Sequence, residues 1–274
     1  MGEGAHRHLA SQSGGRVIMP RIVLVGAGNV ATHLSKALGD HIVAVCSRNI
    51  GHARSLAEPI GAEATDDFGH LASFTPDIII LSIADNATAD VVAAIGAIES
   101  HPLVVHTSGT VEKETLSPIS PRTGVLYPLQ TFSAGVDVDI HEVPFFTEAN
   151  DEADLAIVDD MAKSISHHVH HADAAHRRVL HVAGVFSNNF PNILLECVEC
   201  ILAPAGYPLD VVRPLLRGTV DKAFAVGPHE AQTGPARRGD FDVISRQYQS
   251  LPEDLKPVYK ELTALILRSH HIEK

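Results

Sequence analysis

The sequence predicts an α/β chain in two parts, a doubly wound parallel sheet followed by an all-helical segment. Three observations carry that prediction. A charge-free, β-branched run, Ile22 to Val25, breaks into a glycine turn and then into a helical repeat. Short apolar strands alternate with helices as far as Asp173. From Ala174 onward the apolar residues recur only three or four apart, which is helical spacing throughout.

The first element is the most informative. Gly26-Ala27-Gly28-Asn29-Val30-Ala31 reads Gly-x-Gly-x-x-Ala, and Val30, Leu34, Ala37 and Leu38 follow at helical spacing before Gly39. Gly26 permits the tight turn, Gly28 lets backbone approach a pyrophosphate, and Ala31 keeps helix and strand close. The free N–H groups and the positive end of the helix dipole then face the phosphates. Residues 26–31 are therefore expected to hold a dinucleotide; the competing reading is a purely structural turn. Residues 41–46 form a second strand, followed by Ser47-Arg48-Asn49. An acidic residue here would accept the 2′-hydroxyl of NAD. Arg48 stands there instead, and with Ser47 beside it the expected cofactor is NADP, its 2′-phosphate held by charge-assisted hydrogen bonds. The alternative is a solvated surface arginine.

Residues 53–58 read as a second helix and 62–65 as a minor third strand. Pro76-Asp77 introduces Ile78 to Ile83, the natural centre of the sheet. Residues 84–88 sit at its carboxyl end and are expected to cap a helix running to about Ile98. Ligands of open α/β sheets lie at such strand ends. Ile83, Ala84 and Asp85 are thus placed on the nicotinamide side, with plain helix capping by Asp85 and Asn86 as the other reading. Residues 103–106 form a strand opening into Thr107-Ser108-Gly109-Thr110, and 124–127 another, followed by Pro128-Leu129-Gln130-Thr131-Phe132. Their positions make Ser108 and Gln130 substrate-side candidates. Residues 143–147 continue the sheet, 152–166 are helical, and 168–171 alternate like a strand.

In the helical part, Val179, Val182, Phe186, Phe190, Ile193, Cys197 and Ile201 describe one long helix with an apolar face, which Pro191 should kink near 187–191. Residues 209–226 and 253–268 give two more helices. Thr233 to Asp240 reads as a turn-rich loop whose Arg237 and Arg238 could grip a carboxylate or phosphate, or make ion pairs with the acidic surface or a dimer partner. The expected domains are 19–173, dinucleotide-binding, and 174–274, helical, with a substrate cleft between them. Residues 1–18 lack the apolar core of a signal peptide and read as a disordered extension.

Composition narrows the function. A formal net charge of -12 with no basic patch argues against nucleic acid as a partner, and no stretch is apolar and long enough for a membrane span. Three cysteines cannot build a disulfide framework and suit a reducing, cytoplasmic compartment. Cys197 and Cys200 read as small hydrophobes on a helix, against a redox pair or half a zinc site. The cluster His167, His168, His170, His171 and His176 reads as a solvated strand edge in preference to a zinc site, so no metal is assigned.

The stretches IVLVGAGNVATHL, DIIILSIADNAT, VVHTSGT, YPLQTFS, HVAGVFSNNF and TGPARRGD together resemble a bacterial family described as Rossmann-like with a helical carboxy-terminal domain of unknown function, DUF2520. That family is related to the 6-phosphogluconate dehydrogenase-like and pyrroline-5-carboxylate reductase-like enzymes. The resemblance implies a 6-phosphogluconate dehydrogenase-like helical domain, a homodimer formed through it, and an NADP-dependent oxidoreductase acting on a small molecule. In hydroxyacid dehydrogenases of the wider superfamily, a helix in this place presents a lysine acid/base and, one turn on, an asparagine. Asn188 or Asn189 matches the asparagine, whereas Gly184 and Val185 stand where the lysine would be. His181, two turns before Asn188, is then the titratable candidate for protonating a carbonyl or imine as hydride arrives, with Asn188 orienting the substrate and Asn189 contacting it. The expected substrate is a small carboxylated or phosphorylated carbonyl or imine compound. The competing readings are a hydrogen-bonded histidine without catalytic duty and, for the whole protein, an NADP-binding sensor or scaffold that transfers no hydride.

Overall fold

A computed structural model describes residues 20–273; the extension read in residues 1–18 lies outside the described residues. The apolar runs become strands where expected. β1 (Ile22–Val25) has no exposed side chain and leads through the glycine turn into α1 (Asn29–Ala37). β2 (Ile42–Cys46), α2 (Ile50–Ala57) and β3 (Glu63–Thr65) follow, then β4 (Ile78–Leu81), α3 (Thr88–Ile95), β5 (Leu103–His106) and β6 (Thr123–Pro128). β7 (Phe145–Ala149), α4 (Glu152–Ile165) and β8 (Val169–His171) complete the sheet.

The eight strands lie in the order β3-β2-β1-β4-β5-β6-β7-β8. All neighbours run parallel except β6 and β7, which pair antiparallel. Period-two alternation splits the core between the two faces. Ile22, Leu24, Ile78 and Ile80 pack with Leu34 and Met161 on one side, and Val23, Val25, Ile79 and Leu81 with Leu71 and Val92 on the other. The chain leaves β1 in one direction for β2 and returns to β4 on its other side. The gap between β1 and β4 is therefore the switch point at which such sheets open a crevice.

Several boundaries differ from expectation for local reasons. α3 stops at Ile95 because Gly96 takes a φ of +68°, short of the expected Ile98. β7 begins at Phe145, two residues beyond the expected start. The stripe expected to form one helix kinked near residues 187–191 runs unbroken as α5 (Ala174–Gly184), a π-turn (Val185–Asn189) and α6 (Phe190–Leu202), the irregular turn falling just ahead of Pro191. The wider turn is how a helix makes room for a prolyl ring against the carbonyl four residues earlier.

By compactness the chain divides between Phe186 and Ser187. The second unit holds α6, α7 (Arg213–Val226), α8 (Pro228–Ala231), α9 (Pro235–Arg238), α10 (Phe241–Ser250) and α11 (Lys256–Ser269). Residues 209–212, expected to open α7, form a 3₁₀ turn, and Pro214 occupies the helix's first turn. The segment read as a loop, residues 233–240, contains the helical turn α9 between Gly234 (φ +100°) and Gly239 (φ +68°). α10, which follows and is capped by Asp240, goes beyond the expected helices. Among the described residues of this unit Ala236 alone is buried, while Leu215 and Phe224 are 71% and 90% exposed. A helical unit of this size with so little interior among its described residues is unusual. No helix among the described residues is long and apolar enough to cross a membrane.

Candidate functional site

The two glycines of the turn do different work. Gly26 has a φ of +114°, and a Cβ there would stand 2.0 Å from the Ser82 carbonyl oxygen. Its N–H donates to the Cys46 carbonyl at 2.8 Å. Gly26 thus closes the junction of β1, β2 and β4, a task no other residue can perform. Gly28 is the opposite case, with nothing within 4 Å of the place a Cβ would take and no side-chain cap over the start of α1. Open space in front of uncapped helix N–H groups is the geometry a pyrophosphate needs. Ala31 is fully buried, and the Asn29 amide donates to the Phe132 carbonyl at 2.9 Å, tying the turn to the chain beyond β6. Ala27 and Val30 are half-buried beside it.

Arg48 lies exposed just past β2 and has neither an ion pair nor a side-chain hydrogen bond among the described residues. Ser47, beside it, is half-buried. The Asn49 side chain caps α2 by accepting from the Gly51 and His52 N–H groups at 2.9 and 3.3 Å, so its oxygen is committed.

At the ends of β4 and β5 the structure departs from the helix-cap reading of Asp85 and Asn86. Neither side chain caps α3. The Asp85 carboxylate accepts instead from the Thr110 hydroxyl, because parallel pairing of β4 and β5 carries the loops after them side by side. Ile83 and Ala84 precede it at the same strand end. Ser108 is occupied in its own loop, its Oγ accepting from the Thr110 and Val111 N–H groups at 3.0 and 3.1 Å. Gln130 is exposed, and its Oε1 accepts from the Thr131 N–H at 2.8 Å.

Next to this loop are groups that sequence reasoning missed. His106, the last residue of β5, accepts the Ser108 N–H on Nδ1 at 3.1 Å, while its Nε2 is buried without a partner among the described residues. Burial, reinforced by the charge of Arg177, pushes its imidazole down to about 4, so it is neutral near pH 7. The Tyr127 ring fills the place where a Cβ on Gly109 would stand, 2.7 Å from its Cζ. Its hydroxyl lies 3.4 Å from His181 Nδ1. Burial, and then the Asp85 charge, push the phenol above its ordinary range and keep its proton in place.

His181 reaches this position because α5 is anchored one turn earlier. Arg177 is wholly buried; its guanidinium pairs with Glu148 and donates to the carbonyls of Ala172 at 3.2 Å and Val111 at 2.9 Å. Lys113 bridges Glu148 and Glu114 at 2.9 and 2.7 Å. No pattern in the sequence marks Arg177 as interior. Tyr127 was detectable as the strand-end residue of the YPLQTFS stretch.

The structure therefore brings Asp85, Thr110, Tyr127 and His181 together in the first unit. Asn188 and Asn189, both exposed, lie in the π-turn, and Arg237 and Arg238 are exposed on α9 with no ion pair or side-chain hydrogen bond among the described residues. The clustered histidines have local partners: His168 meets Glu142 at 3.4 Å, His171 meets Asp159 at 2.9 Å and His176 meets Asp173 at 2.7 Å. Cys197 and Cys200 are free thiols on α6. A cavity of about 600 Å³ lies at the opposite ends of β4 and β5, lined by Pro76, Pro102 and Arg122, and shares no residue with this cluster.

Residues 21–109 match the family model described as NADP oxidoreductase, coenzyme F420-dependent, and residues 143–266 match the domain of unknown function DUF2520. Among solved structures, a candidate NADP oxidoreductase from Bacteroides fragilis, BF3122, is 36% identical with a TM-score of 0.83, over 91% of this chain and 98% of that one. The chain belongs to the DUF2520 family of NADP oxidoreductase-like proteins. Protein TM1727 from Thermotoga maritima is 24% identical with a TM-score of 0.77, over 91% and 99% of the two chains. A 1-pyrroline-5-carboxylate reductase from Streptococcus pyogenes, 12% identical with a TM-score of 0.63 over 92% and 98%, shares the fold. No curated protein matches the chain. The DUF2520 match opens at Val143, ahead of β7, so the family's helical domain as defined by sequence takes in the last two strands of the sheet.

Proposed function

We propose that this DUF2520 protein is an NADP-dependent oxidoreductase that reduces a small carboxylated or phosphorylated carbonyl or imine compound. The observation that carries the reading is the pairing of an open, uncapped helix start at Gly28 with an uncommitted cation, Arg48, just past the neighbouring strand. When bound, NADPH would supply the hydride. Backbone of residues 26–31 would hold its pyrophosphate, Ser47 and Arg48 its 2′-phosphate, and Ile83, Ala84 and Asp85 would flank the nicotinamide. His181 is the proposed acid for the substrate heteroatom and Asn188 the orienting amide. Asn189, Ser108 and Gln130 are further proposed contacts, and Arg237 and Arg238 the grip on the substrate's anionic group.

Calorimetric titration tests the foundation. Wild-type protein should bind NADPH more tightly than NADH, and Arg48→Ala should weaken NADPH about tenfold to a hundredfold, the worth of charge-assisted hydrogen bonds, with NADH nearly unchanged. Equal loss for both cofactors, or binding of neither, overturns the assignment.

We further propose a homodimer through the helical unit. Phe190, Ile193, Leu215, Val220 and Phe224 are exposed on α6 and α7, more apolar surface than a soluble monomer ordinarily leaves in water. A second copy is the occupant that every molecule of the chain has at hand, and the same patch on both copies closes by twofold symmetry. Sedimentation should give twice the 29.3 kDa chain mass, and Phe224→Glu should shift it toward monomer; a monomeric wild type refutes the dimer.

A further inference from the structure

We propose that Tyr127 is the positioning residue of His181, its phenol fixing the imidazole so that Nε2 is the proton-bearing nitrogen left free to meet a substrate. The part of this that concerns catalysis rests on His181 being the acid; the part that concerns the ring's position does not. Three features hold the pair in place. The absent side chain of Gly109 gives the Tyr127 ring its slot, since a Cβ there would also stand 3.0 Å from the hydroxyl oxygen. Phe146 flanks the ring at a centroid distance of 6.3 Å. From the other direction, the buried Arg177 seats α5 one turn ahead of His181.

The direction of the hydrogen bond follows from burial. Tyr127 is only 7% exposed, and a phenol so enclosed ordinarily finds a partner for its hydrogen. Among the described residues, the acceptor within reach of Tyr127 is His181 Nδ1, at 3.4 Å, the loose end of the range. Hydrogen bonds of this kind commonly tighten only when substrate binds. A phenol donating to Nδ1 leaves the neutral ring protonated on Nε2, which has no hydrogen-bond partner among the described residues. On the imidazolium the roles reverse, and the phenol oxygen accepts from Nδ1–H. Tyr127 therefore complements both charge states without changing its own.

The protons of the reduction then balance. With the hydride for the new C–H bond supplied by NADPH, which would be left as NADP⁺, the Nε2–H bond of the imidazolium breaks and its proton passes to the substrate oxygen or nitrogen. The electron pair stays on the ring, which keeps Nδ1–H against Tyr127. The phenol, held protonated by burial beside Asp85, is not spent. The exposed ring then regains its proton from solvent.

The test needs no substrate. Two-bond ¹H–¹⁵N spectra of histidine-labelled, cofactor-free protein in alkaline buffer, with His181 assigned by loss of its signal in His181→Gln, report which ring nitrogen is protonated and whether Nδ1 accepts a hydrogen bond. Wild type should show a single Nε2–H tautomer with a hydrogen-bonded Nδ1. Tyr127→Phe should give a tautomer mixture with Nδ1 at its unbonded position. Gly109→Ala should do the same with the phenol still present, because it displaces the ring. Thermal melts of both variants control for loss of fold, and a shortfall in Gly109→Ala leaves Tyr127→Phe decisive. Unchanged His181 nitrogens in Tyr127→Phe, or a wild-type ring protonated on Nδ1, overturns the proposal. The Arg48 titration can fail while this result stands, so the two readings fall separately.

Discussion

Arg177→Met should lower the free energy of unfolding by about 3–5 kcal/mol in urea titrations, the range for breaking one side of a buried ion pair. Methionine retains much of the apolar stem, so the loss isolates the guanidinium. Its removal leaves Glu148, itself largely buried, with Lys113 alone, and strips a donor from the carbonyls of Ala172 and Val111. The neighbouring Arg178, half-exposed and paired with Glu112 at 2.6 Å, is the control: Arg178→Met should change stability by less than about 1 kcal/mol. A double variant, Arg177→Met with Glu148→Gln, should recover part of the loss, because it no longer buries an uncompensated charge. A loss in Arg177→Met as small as that in Arg178→Met would show that the guanidinium does not anchor α5.

Gly26→Ala should be comparably severe, and for a reason unrelated to charge. A left-handed φ costs an alanine about 1–3 kcal/mol, and its Cβ would press into the Ser82 carbonyl carbon and oxygen, backbone that β1 and β4 hold between them. With overpacking adding about 1–3 kcal/mol more, a loss of roughly 3 kcal/mol or more is expected, along with NADPH binding. Gly28→Ala separates the two roles. Its φ of -85° suits any residue and its surroundings are open, so stability should hold within about 1 kcal/mol while NADPH affinity falls. Thermal melts and calorimetry on both variants read the difference. If Gly28→Ala binds NADPH normally, the phosphates do not approach that backbone.

The parts of the fold legible in the sequence were those governed by local pattern. β1, β4 and β5 are charge-free β-branched runs bounded by Gly, Pro or polar residues, and no other element competes for such segments. The Gly-x-Gly turn was legible because one residue type has a conformational freedom the rest lack. Asp85 misled because a short acidic residue between strand and helix looks the same whether it caps the helix or reaches across to Thr110, twenty-five positions on. The stripe through residues 179–201 marked the helix but concealed its π-turn. Apolar spacing survives a π-turn, so a seven-residue separation between His181 and Asn188 no longer counts as two regular turns. Arg177 and Tyr127 were invisible as a pair of constraints because what fixes them is tertiary: a carboxylate from β7, a carbonyl from the loop after β5, and a glycine that leaves a gap.

The sheet's two borders also matter for what the chain avoids. β3 and β8 are three residues each, and the border strands carry Glu63 at one end of the sheet and His170 and His171 at the other. Strands so short and polar offer a poor template for a stray chain to extend. A protein whose most apolar strands lie at the centre of its sheet is in this way shielded from growing into fibrils along its edges, and the large apolar side chains it leaves exposed are carried mostly on helices.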